Sequence, residues 1–89
     1  MKPGDRIGAI LSIKDGTVNL LGWGTYEGEE VPPIFSSVGI KNPKLKLDSG
    51  HIVWGYQCWW GDEERLKKEL EGHTIVQVDP EKELNQENQ

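Results

Sequence analysis

The chain has 89 residues, with ten Lys and Arg against fifteen Asp and Glu, a net charge of −5 and a pI near 4.9. That length makes one domain, and that acidity argues against nucleic-acid backbones or anionic membranes as bulk partners. The imbalance sits at the end: residues 79–89 hold four acids and one base (−3), so residues 1–78, with eleven acids and nine bases (−2), are close to neutral.

Residues Asp5 to Ile13 alternate as a strand does, with Ile7, Ala9, Leu11 and Ile13 on one face and Arg6, Gly8, Ile10 and Ser12 on the other. Lys14-Asp15-Gly16 supplies an Asp-Gly hairpin turn. The second strand, Thr17 to about Tyr26, places Gly22 and Gly24 on one face, marking either a bend or the close approach of another backbone, ring or ligand. Glu27 to Pro43 is a long connection with three prolines and two glycines, yet Val31, Ile34, Phe35, Val38 and Ile40 give it apolar weight. A segment of that kind is a lid or an interface arm.

Lys44-Leu45-Lys46-Leu47-Asp48 alternates with its leucines inward, and Asp48-Ser49-Gly50 turns the chain into a strand over His51 to Trp60. Ile52, Trp54, Tyr56, Cys58 and Trp60 share one side of that strand. Gly61-Asp62-Glu63-Glu64 opens a helix with Asp62 as N-cap, Leu66 and Leu70 on its buried side and Gly72 beyond its end. His73 to Val78 reads as the last strand, and the polar segment from Glu81 has too little apolar content to pack.

The pattern predicts an α+β fold: a small, strongly bent antiparallel β-sheet or SH3-like half-barrel with one short helix before the last strand. Residues 1–79 form the compact domain and 80–89 a flexible acidic tail. The expected core is Ile7, Leu11, Leu20, Leu45, Leu47, Ile52, Leu66, Leu70 and Val76, the apolar members of each face.

Val53 to Asp62 concentrates three of the four tryptophans and the only cysteine in ten residues. Each indole brings roughly 150–250 Å² of mostly apolar surface and one N–H donor, which suits either a core built from few side chains or a stacking surface. Cys58 has no basic neighbour in sequence and reads as a buried, inert thiol. His51, seven residues away on the same strand, is roughly 23 Å distant at about 3.3 Å per residue. Two histidines and one cysteine fall short of a closed zinc site, so no metal, cofactor or catalytic residue is expected. Lys41, Lys44 and Lys46 form a local basic run, and solvated edge lysines are the simplest account of it. Aromatic rings beside cations are also what a purine phosphate ligand needs.

The segments Lys2-Pro3-Gly4-Asp5-Arg6-Ile7-Gly8-Ala9-Ile10, Glu30-Val31-Pro32-Pro33 and Val53-Trp54-Gly55-Tyr56-Gln57-Cys58-Trp59-Trp60-Gly61 resemble small proteins of bacteriophages and prophages, over most of residues 2–70. The resemblance implies a phage context and, by analogy of context, counter-defence, in which oligomeric sponges hold nucleotide immune signals. The expectation is a non-enzymatic protein that sequesters a cyclic dinucleotide or ADP-ribose derivative. Trp23, Tyr26, Trp59 and Trp60 would wall a pocket at a subunit interface, and Arg6, Lys44 and Lys46 would meet phosphate. The alternative is an inhibitor that blocks a host defence enzyme through the apolar loop and exposed tryptophans. Indoles on both faces of one strand predict a homo-oligomer, most simply a two-fold dimer. The single cysteine, the lack of an apolar stretch in Met1 to Asp5 and the lack of a run of ~20 apolar residues predict a protein of the host cytoplasm that does not enter membranes.

Overall fold

The Asp15-Gly16 turn sets the register of the first hairpin. Both residues have positive φ, 52° and 78°, as a two-residue turn between twisted strands requires, and Lys14 pairs directly with Thr17. The computed structural model describes residues 1–84. In it β1 (Arg6–Lys14) and β2 (Thr17–Glu30) are followed by a 3₁₀ turn at Pro33–Phe35, β3 (Asn42–Leu47), β4 (Ile52–Trp54), a second 3₁₀ turn at Gly55–Gln57, β5 (Trp59–Asp62), α1 (Glu63–Glu69), β6 (Thr74–Gln77) and α2 (Pro80–Leu84). The sheet order is β4-β3-β2-β1-β5, antiparallel throughout, and β6 pairs with β2 in parallel. The result is a small six-stranded sheet, mostly antiparallel, with two short helices.

Apolar clusters form on both faces of this sheet. On one, Ile7, Ala9, Leu21, Tyr26, Leu45, Leu47 and Val53 form the larger core. On the other, Leu66 of α1 and Leu70 at its C-cap close over Ile10, Val18 and Leu20, with Trp23 packed alongside. Asp62 caps α1 as expected, its Oδ2 accepting from the Arg65 N–H at 3.0 Å.

Regular alternation fails in β2, with a physical cause. The pairing steps from Ala9 opposite Gly22 to Ile10 opposite Leu20, which leaves Leu21 as an extra residue and flips the strand's phase. Leu21 and Tyr26 therefore share the larger core, while Trp23 sits on the helix side with Val18 and Leu20. Two of the three glycines of β2 have a use here. Gly22 lies at the bulge, and a Cβ at Gly24 would meet the backbone of Lys46 and Leu47, the latter at 2.7 Å from its Cα.

The strand expected over His51 to Trp60 is two strands at opposite edges of the sheet. Gln57 Oε1 accepts from the Trp54 N–H at 2.9 Å, so a side chain takes the place of a ladder partner and the chain turns. Within β4 it is Val53, opposite Leu45, that is buried, while Ile52 is 41% exposed. Val76 is also 41% exposed, because α1 lies across β1 and β5 and leaves the edge strand β6 without a cover. Leu11 is half-buried, and the other six expected core residues are buried. The chain after Val78 does not simply leave the domain: Pro80 is buried and Leu84 packs against the larger core. The rest of the expected tail, 85–89, lies outside the described residues.

Candidate functional site

The seven residues proposed for one pocket fall into separate environments. Arg6, at the start of β1, donates from Nη1 and Nη2 to Asp48 Oδ1 and Oδ2 at 2.8 and 2.7 Å, and from Nε to Glu63 Oε1 at 3.0 Å. These contacts raise the Arg6 pKa further above its ordinary value, the hydrogen bonds to Asp48 contributing most. In return, Arg6 holds the Asp48 carboxyl below the usual range. Glu63 is lowered too, first by the hydrogen bond from Lys67 and then by Arg6. The guanidinium thus joins β1, the β3–β4 turn and the first turn of α1, and two carboxylates occupy the donors a phosphate would need.

Tyr26 and Trp60 do meet, as a stacked pair with centroids 5.7 Å apart and planes 7° from parallel. They form part of the larger core and no open platform: Tyr26 is buried, Trp60 packs against the same cluster, and the Tyr26 hydroxyl donates to Glu29 Oε2 at 2.7 Å. Trp23 is elsewhere. It pairs across the ladder with Gly8, where its ring fills the space that a Cβ would take, and Lys67 Nζ stands 5.1 Å from its ring centroid. Lys44 Nζ lies 3.4 Å from Glu30 Oε1, and Lys46 is exposed on β3. Trp59 is 77% exposed at the sheet edge.

One surface cavity borders Trp23 and another borders Trp59. A cavity of about 490 Å³ lies beside Trp23, Gly22 and Leu47 and carries Asp48 and Asp79 on its wall. Its one amide, that of Gln77, already donates to the carbonyls of Leu20, Leu21 and Val78 at 3.1, 3.0 and 2.8 Å. Such a wall opposes a phosphate. The second cavity, about 330 Å³, is bounded by Leu11, Ser12, Ile13 and Trp59. Neither is lined by Arg6, Lys44 or Lys46.

One cluster escaped the reading of the sequence. His51, Asp79 and Glu81 bring their ligand atoms within 4.8 Å of one another, with His51 Nε2 at 3.7 Å from Glu81 Oε2 and Nδ1 at 2.8 Å from Ser49 Oγ. These groups could hold a cation, though all sit at the surface and carboxylates there are commonly solvated. Nothing in the spacing announces them, since Asp79 follows His51 by 28 residues and only the return of the chain after β6 brings them together. Cys58 Sγ points to the Trp54 carbonyl at 3.7 Å, and burial pushes its pKa up to about 12. A thiol so raised stays protonated at neutral pH.

The connection between β2 and β3 is an ordered arm. Pro32 is buried, and the N–H groups of Val38 and Gly39 donate to the Phe35 carbonyl at 3.1 and 2.9 Å. The Phe35 ring rests on Tyr56, centroids 5.0 Å apart. Its other apolar side chains, Val31, Ile34, Val38 and Ile40, face solvent, Val38 at 64%. Compared with family models, with characterised proteins and with solved structures, the chain gives no significant match.

Proposed function

We propose that the protein is a non-enzymatic binding domain that docks on another protein through the arm Val31 to Ile40. One observation supports this above all: the arm is held in shape by Pro32, Phe35 and its own turn, yet presents Val31, Ile34, Val38 and Ile40 outward. A preordered apolar surface loses little conformational freedom on binding. Side chains meant to close over the protein's own cavity would point the other way. The order β4-β3-β2-β1-β5, with a 3₁₀ turn joining the two edge strands, supports an SH3-like half-barrel as the scaffold. In the phage context that the resemblance implies, the partner is a host defence enzyme.

Sequestration of a nucleotide signal is the second reading. Its specific support is the 490 Å³ cavity beside the Trp23 indole, and Asp48 and Asp79 on that wall weigh against it. Capture from host lysate separates the two, using the wild type and an Ile34→Asp/Val38→Asp variant. The docking reading expects one protein retained in stoichiometric amount by the wild type and lost by the variant. Calorimetric binding of cyclic dinucleotides or ADP-ribose, with no protein retained, would overturn it.

A further inference from the structure

Strand β5 accompanies β1 only from Ile7 to Ile10, where Trp59, its first residue, stands opposite Ile10. β1 continues to Lys14, paired with β2 on its other side. Among the described residues, Leu11 to Lys14 therefore have no strand paired on that side, over an edge about 13 Å long at roughly 3.3 Å per residue. No proline protects this edge, and its surroundings are apolar: Trp59 is 77% and Ile13 54% exposed, and with Leu11 they bound the 330 Å³ notch. An apolar edge whose one charged guard is Lys14, at its far end, is a template for another strand.

We infer that this edge pairs with the same edge of a second copy, antiparallel about a two-fold axis, to form a homodimer with one sheet running through both protomers. The dimensions of the edge fix the register of this pairing. An axis normal to the sheet keeps each residue and its symmetry mate on the same face, so the pairing is centred on Ser12 or on Ile13. Centring on Ser12 sets the partner's Lys14 against Ile10, a place that Trp59 already fills. Centring on Ile13 sets Ser12 against the partner's Lys14 and Leu11 against the partner's Asp15. There the partner's hairpin turns away just before it would run into β5, and its tip seats against Trp59.

Charge agrees with this choice. The protein carries −5, but Leu11 to Gly16 contains one lysine and one aspartate, so the two copies meet at their neutral segments. Two indoles of roughly 150–250 Å² each, with Leu11 and Ile13 from both chains, put the contact at or below the low end of the roughly 1,200–2,000 Å² that stable interfaces bury. The dimer should accordingly dissociate in the micromolar range.

Sedimentation velocity from low micromolar to millimolar concentration tests the pairing. The mass should rise from the 10.0 kDa of one chain toward twice that value, and Trp59→Ala and Ile13→Lys should each weaken association about tenfold or more, equivalent to about 1.4 kcal/mol. Both side chains are exposed, so the variants should fold, and circular dichroism checks that they do. Val38→Asp, on the arm, should leave the dimer unchanged, which keeps this result separate from the docking reading. Amide hydrogen exchange should slow within Leu11 to Lys14 as concentration rises. A monomer throughout, a dimer indifferent to both edge variants, or one lost with Val38→Asp overturns the inference.

Discussion

Arg6 shows how one side chain changes meaning once its neighbours are known. In the sequence it is a lone cation at the start of a strand; in the fold it is a clasp between Asp48 and Glu63. Both carboxyls are depressed by their partners, so the stability they contribute is present above the ordinary carboxylate range and is lost as pH falls through their lowered values. Arg6→Gln should therefore destabilise the protein at pH 7 and have less effect at pH 3, a difference that urea melts at the two values measure. An equal loss at both would show that the arginine acts by packing its stem alone. Cys58 gives a second prediction at this scale. With burial raising it to about 12, it should resist alkylation at pH 8 in the native protein and react readily in denaturant. The partial burial of this thiol was legible from its apolar run. The partners of Arg6, 42 and 57 residues away, were not.

Among the elements, those with a local signal were readable and those shaped by tertiary contacts were not. The Asp-Gly hairpin, the alternating leucines of β3 and the Asp62 cap of α1 each state their structure within a few residues. The break between β4 and β5 does not, because the residues from Val53 to Trp60 look continuously strand-forming and the turn depends on the Gln57 side chain reaching back to the Trp54 N–H. The bulge opposite Ala9 and Ile10 is hidden in the same way, and it moves Trp23 to the opposite face from the one alternation assigns. The composition of the segment from Glu81 gave no reason to expect packing, yet Leu84 reaches the larger core. Truncation after Pro80 should cost about 1 kcal/mol, a part of the roughly 1.5–3 kcal/mol for a fully buried leucine, and lower Tm by about 4–8 °C in a domain this size. Leu84→Ala in the full chain should reproduce most of that loss, and an unchanged Tm in both would show that the packing contributes nothing.

For the whole molecule, the clustering of aromatics suggested a single pocket, but the sheet distributes them. Tyr26 and Trp60 go to the core, Trp23 goes beneath Lys67, and Trp59 alone projects from an edge. Sequence clustering could not reveal this, since neighbours in a strand face opposite ways and the 3₁₀ turn carries Trp54 and Trp59 to different edges. What remains outward is an ordered apolar arm and an unpaired strand edge, both suited to contact with protein chains. Native mass spectrometry of the protein purified intact from the cells that express it tests that account most directly. The account predicts a co-purifying protein bound in fixed ratio, absent when Ile34 and Val38 are replaced by aspartate. A protein that carries no macromolecular partner and instead retains a nucleotide-sized adduct would contradict it.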